Sequence, residues 1–121
     1  MTFDAYRYLH FLGLFLLFLG LGAVFFHAAT GGEKRIPARP LAMVTHGLGS
    51  VLVLVGGFGM LARLGVAAGG LPGWLHPKLA VWLLLSVAVA LPYRRPSLAR
   101  PAFVLLPVLG AIAAWFGIFH A

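Results

Sequence analysis

The sequence predicts an all-α integral membrane protein: a four-helix bundle in which residues 1–121 form a single domain. Three observations lead there. Hydrophobic residues make up 62% of the 121 residues and charged ones 9%, leaving too little polar surface for a water-soluble chain of this length. Mean hydropathy is +1.03. Four apolar stretches, near 5–27, 41–64, 73–92 and 101–120, each reach the about 20 helical residues that a bilayer crossing needs.

The first span opens with Tyr6 and Tyr8, which suit the membrane interface. Its apolar region is too long for a signal peptide, so it is expected to stay in place as a helix. A basic loop, GGEKRIPARP, leads to the second span, with Pro40 at the helix start, where a missing N–H costs little. The second connection, GVAAGGLPG, is uncharged and glycine-rich. Trp74 then anchors the third span, and Pro72 and Pro77 mark its beginning. The stretch YRRPSLAR reads as a loop, Pro101 as the start of the fourth span, and Pro107 as a bend within it. ARPLAMV and ARPAFVL, each following a basic loop, form a weak internal repeat.

Charge sets the expected orientation. Lys34, Arg35, Arg39, Arg94, Arg95 and Arg100 fall in two loops on one side, against Arg7, Arg63 and Lys78 on the other. The positive-inside rule puts the first group in the cytoplasm and both termini on the non-cytoplasmic side. The formal charge of +7 therefore points to anionic lipid headgroups, and no nucleic-acid partner is expected. Cysteine is absent and only Asp4 and Glu33 are acidic. Disulfides, thiolate chemistry and carboxylate-rich metal cages are thereby excluded.

Five histidines in so apolar a chain are the main chemical signal. His10, Gly13, Leu17, Gly20, Val24 and His27 recur at three- and four-residue steps and share one helix face. The two histidines of that face sit roughly 25 Å apart at 1.5 Å per residue, so they cannot bind one ion together. His46 heads a second face with Ser50, Val53, Gly57 and Met60; Gly110, Ala113 and Gly117 lead to His120 on the fourth span. Small residues of this kind permit close helix approach or leave a slot for a flat ligand. Depth sorts the histidines into two levels: His27 and His46 near the basic side, and His10, His76 and His120 near the other, with Arg63 and Lys78. One or two imidazoles suffice as axial ligands of haem b, and intramembrane ionisable groups mark functional sites. The competing reading is plainer. His27, His76 and His120 lie near span ends, where imidazole meets water. Lys78 can snorkel to the headgroups or lie on Trp82 four residues on, as a cation–π pair.

The stretch YRYLHFLGLFLLFLG followed by FFH, and GWLHPKL in the third span, resemble the HemJ family of protoporphyrinogen oxidases. They also resemble the related SirB-type and CopD-type four-helix membrane proteins. The resemblance implies a multi-pass protein of the bacterial inner (plasma) membrane that binds haem b or a porphyrin. It assigns His10 as a candidate haem ligand and Lys78 as a candidate catalytic group that binds porphyrin carboxylates. The first span reads FLGLGAVFF, without the Trp, Pro and Arg of the HemJ pattern, which brings the SirB-type branch nearer.

The leading expectation is a small haem- or porphyrin-binding redox protein. Its cofactor-binding candidates are His10, His46, His76, His27 and Arg63, and its metal-ligand candidates are all five histidines. Electrons would pass to quinone, since no flavin or nicotinamide fingerprint is present. Two alternatives stand beside it. One is a copper or proton transporter of the CopD type, with Met60 as a soft ligand. The other is a non-catalytic assembly subunit whose glycine-rich faces, including Gly56 and Gly117, pack on a partner or on a second copy of the chain.

Overall fold

The structure, a computed structural model, describes residues 1–33, 38–65 and 69–119. Those residues form helices α1 (Phe3–Ala29), α2 (Arg39–Leu64), α3 (Leu75–Val87), α4 (Leu91–Arg94) and α5 (Pro96–Ile118), with one 3-10 turn at Ala88–Ala90. Helices α3 and α4, joined through that turn, make one span, Leu75–Arg94. With α1, α2 and α5 it gives four helices long and apolar enough to cross a membrane. Phe15 and Leu41, each 71% exposed, and Ile118, at 70%, show how apolar the outer surface is, as a lipid-facing surface has to be. The chain is accordingly read as a multi-pass membrane protein.

Local signals set most of the helix ends. Thr2 caps α1 by accepting the Ala5 N–H at 3.1 Å, as an N-cap threonine does. At the other end Gly31 takes φ +84°. The Gly32 N–H donates to the His27 carbonyl and the Gly31 N–H to that of Ala28, the paired bonds of a Schellman closure. Gly65, with φ +71°, ends α2.

One expectation is corrected. YRRPSLAR is not a loop: α4 runs through Arg94 and α5 begins at Pro96, so Arg95 alone breaks the helix, at φ −134° and ψ 74°. A residue before proline is pushed out of the helical region, whereas proline itself fits the first helical position. Pro101, read as a helix start, consequently lies inside α5, as Pro107 does.

Helices α1 and α2 form an antiparallel pair built on glycine. A Cβ on Gly13 would sit 2.6 Å from the Val53 nitrogen, one on Gly20 2.6 Å from the His46 nitrogen, and one on Gly56 2.6 Å from the His10 nitrogen. No larger residue fits at that separation, so Gly13 and Gly20 on α1, and Gly49 and Gly56 on α2, each pair seven residues apart, set the register of the hairpin. Helix α5 packs on α1 and α3, while α3 meets α2 only sparsely. Leu17, Leu21, Phe25, Val53, Val81, Leu85 and Leu106 form the buried core. The thin contact between α2 and α3 leaves the space described next.

Candidate functional site

A cavity of about 680 Å³ lies among all four spans in the half of the bundle that holds the N-terminus. That volume is inside the roughly 300–1,000 Å³ typical of sites for small molecules and cofactors. Its walls are almost wholly apolar, among them Leu14, Phe18, Leu54, Phe58 and Leu79, with Trp74 and Trp82 from the third span. The small residues Gly110, Ala113, Ala114 and Gly117 of α5 form one face. Two ionisable side chains reach it, His10 and Lys78.

The position of His10 follows from α2. Its Nδ1 lies 2.9 Å from the Val53 carbonyl oxygen. In a helix a carbonyl is flanked by the side chains three and four residues on. For Val53 these are Gly56 and Gly57, so the oxygen stands open to a neighbour. Gly56 also admits the α1 backbone itself, and a Cβ on Gly57 would meet the His10 ring only at 3.5 Å. A carbonyl acceptor requires Nδ1 to carry the proton, which leaves the lone pair on Nε2. No hydrogen bond engages Nε2 among the described residues. A ring oriented by a carbonyl at one nitrogen and open at the other is the usual state of a metal-ligating histidine.

Lys78 enters from α3, and its Nζ occupies the space beside Gly117: a Cβ there would lie 2.8 Å from the ammonium. The expected cation–π contact between Lys78 and Trp82 does not form. Cations lie over Phe3 and Tyr93 instead, and the Trp82 indole donates to the Ser50 carbonyl at 3.0 Å. Asp4 and Arg7 make the one ion pair among the described residues, at 2.9 Å on the exposed surface.

The remaining candidates lie elsewhere. His46 is buried, at 3% exposure. Its Nδ1 lies 3.3 Å from the Leu17 carbonyl and its Nε2 3.1 Å from that of Ser86. Both nitrogens thus face backbone oxygens of other helices, and the ring joins α1, α2 and α3 rather than lining the cavity. His27 pairs with Tyr93 at the opposite, basic end. His76 and Arg63 are exposed and line no part of the cavity. His120 lies outside the described residues, as do Lys34 and Arg35. No group of three or more His, Cys, Asp or Glu residues comes together among the described residues. Met60, grouped by sequence with His46, lines the cavity with His10 instead.

Three contributors escape a residue-by-residue reading: the Val53 carbonyl, the glycine pair that uncovers it, and Trp82. The adjacent glycines at 56 and 57 were the available signal. Comparison of the chain with protein-family models, with curated proteins and with solved structures finds no match.

Proposed function

We propose that the cavity binds a flat, largely apolar ligand with an acidic edge, haem b or a related porphyrin, and that the protein works in membrane redox chemistry. What carries this reading is the His10 ring, aligned by Val53 with Nε2 open, in a cavity that it shares with Lys78. The fit is chemical as well as spatial. Imidazole is an iron ligand, an ammonium suits a carboxylate, and the cavity's volume of about 680 Å³ lies in the range of cofactor sites. His10 would hold the macrocycle from α1, Lys78 would receive a propionate from α3, and the apolar walls would exclude water.

Bound haem would supply the one-electron chemistry, with the protein controlling orientation and environment. Within this reading, HemJ-like oxidation of protoporphyrinogen and electron transfer linked to quinone are the two finer possibilities. Absorption spectra of the natively purified protein, and of the apoprotein titrated with haem, test the cofactor. Product fluorescence on addition of protoporphyrinogen IX tests the oxidation.

A second reading keeps the cavity and changes its occupant. His10 and Met60 both line it, and an imidazole with a thioether is a donor set for Cu(I). Copper uptake into proteoliposomes, lost in His10→Ala and Met60→Leu, would favour transport. The assembly-subunit reading draws less support, because Gly49 and Gly56 already face α1.

A further inference from the structure

At the end of the bundle away from the cavity, side chains from three helix ends meet. His27, in the last turn of α1, and Tyr93 of α4 are 2.6 Å apart between Nδ1 and the phenol oxygen. Arg39 opens α2 and lies with its guanidinium carbon 6.0 Å from the centroid of the Tyr93 ring. Its Nε is shut off from solvent and meets no acceptor among the described residues.

Each contact has a consequence. The His27 hydrogen bond sets the plane of the Tyr93 ring, and the ring in turn positions the guanidinium. Closure of Nε to solvent closes it to a phosphate as well and holds the guanidinium in one orientation, so an outside acceptor meets its Nη groups. A carboxylate does not supply one: Asp4 is committed to Arg7, and Glu33 is exposed and makes no ion pair among the described residues. The acceptor that matches a guanidinium fork is an oxyanion, above all phosphate.

We propose that Arg39, positioned by Tyr93 and His27, binds the phosphate of an anionic phospholipid headgroup. The surroundings favour lipid over free phosphate. Phe26, next to His27, and Leu41, two residues beyond Arg39, are 61% and 71% exposed and offer apolar surface for acyl chains beside the charge. Arg94, Arg95 and Arg100 are exposed in the adjoining segment. They raise the positive potential that attracts anionic lipid without forming the site. The site is independent of the cavity and of its occupant.

Native mass spectrometry in mild detergent tests this with three probes: phosphatidylglycerol, phosphatidylcholine and inorganic phosphate. One phosphatidylglycerol per chain is expected to be retained in preference to phosphatidylcholine. Arg39→Gln should weaken it on the order of tenfold, as loss of a charge-assisted fork does. Arg39→Lys, which keeps the charge and removes the fork, serves if the glutamine variant does not fold; it should weaken retention severalfold. Arg94→Gln should change it less than about twofold, as expected of an exposed, screened charge. Equal losses in the Arg39 and Arg94 variants, or equal retention of the two lipids, would overturn the proposal in favour of diffuse attraction. Saturation by inorganic phosphate alone, with no preference for lipid, would overturn the lipid assignment.

Discussion

His10 Nδ1 stands 2.9 Å from the carbonyl oxygen of Val53, across the α1–α2 interface. This one bond links a pattern of glycines to the chemistry proposed for the cavity. Gly56 lets the helices touch, Gly57 leaves the carbonyl uncovered, and the ring that reaches it faces a cavity with its other nitrogen open.

The neighbouring glycines should therefore respond differently to substitution. A Cβ on Gly56 would stand 2.6 Å from the His10 nitrogen, so Gly56→Ala must force the helices apart. Overpacking of this kind costs typically about 1–3 kcal/mol, to be read as a lower thermal midpoint in detergent. Gly57→Ala adds a Cβ at ordinary contact distance, 3.5 Å from the His10 ring. It should keep its stability within about 0.5 kcal/mol. Equal destabilisation by the two would show that the helices do not pack in this register.

Lys78 should act on the ligand's acid groups and on little else. Lys78→Gln is expected to weaken haem binding by roughly tenfold, the scale of one hydrogen bond to a charged group. Binding of the haem dimethyl ester, which has no carboxylates, should be unchanged within about twofold by the same logic. Titration of apoprotein with the two ligands gives both numbers. A similar loss for both would point to a general packing defect at Gly117.

His46 has a different expected phenotype. Its ring lies buried between the Leu17 and Ser86 carbonyls, and a neutral imidazole donates its single N–H to one of them. His46→Leu leaves that oxygen without its donor and should destabilise the fold by roughly 1–3 kcal/mol. Haem taken up by this variant should keep the wild-type spectrum, because the ring lines no part of the cavity. Loss of the spectrum in a folded His46→Leu protein would reassign it as a ligand.

Trp82 holds the third span to the second by donating to the Ser50 carbonyl. Trp82→Phe keeps a ring in the cavity wall and removes that bond. It should cost about 0.5–2 kcal/mol, the range of a single interhelical bond in a membrane protein. Hydrogen exchange should rise most in α3, and uniform exchange across all four spans would argue against this staple.

These outcomes bear on what a sequence can disclose. Four long apolar runs set the number of spans, because the bilayer leaves an isolated segment little choice but helix. Their ends shifted by a few residues, and Pro96 in place of Pro101 began α5 because the chain needs only one non-helical residue, Arg95, to turn. The histidines were visible individually, but their roles were not. A seven-residue glycine spacing appears on α1 and on α2, yet only the pairing of the helices shows that His10 meets Gly57 whereas His46 meets Gly20. The backbone carbonyls that hold both rings leave no trace in residue type. His27 and Tyr93 are 66 positions apart, and no local pattern joins them.

The absorption spectrum of the protein titrated with haem, recorded beside that of His10→Ala, bears most directly on the proposed cofactor. Wild type should develop a Soret band that saturates at one haem per chain, and His10→Ala, folded and monodisperse, should fail to develop it. A wild-type protein that takes up no haem, or an alanine variant with an unaltered band, would contradict the assignment of His10 as the ligand.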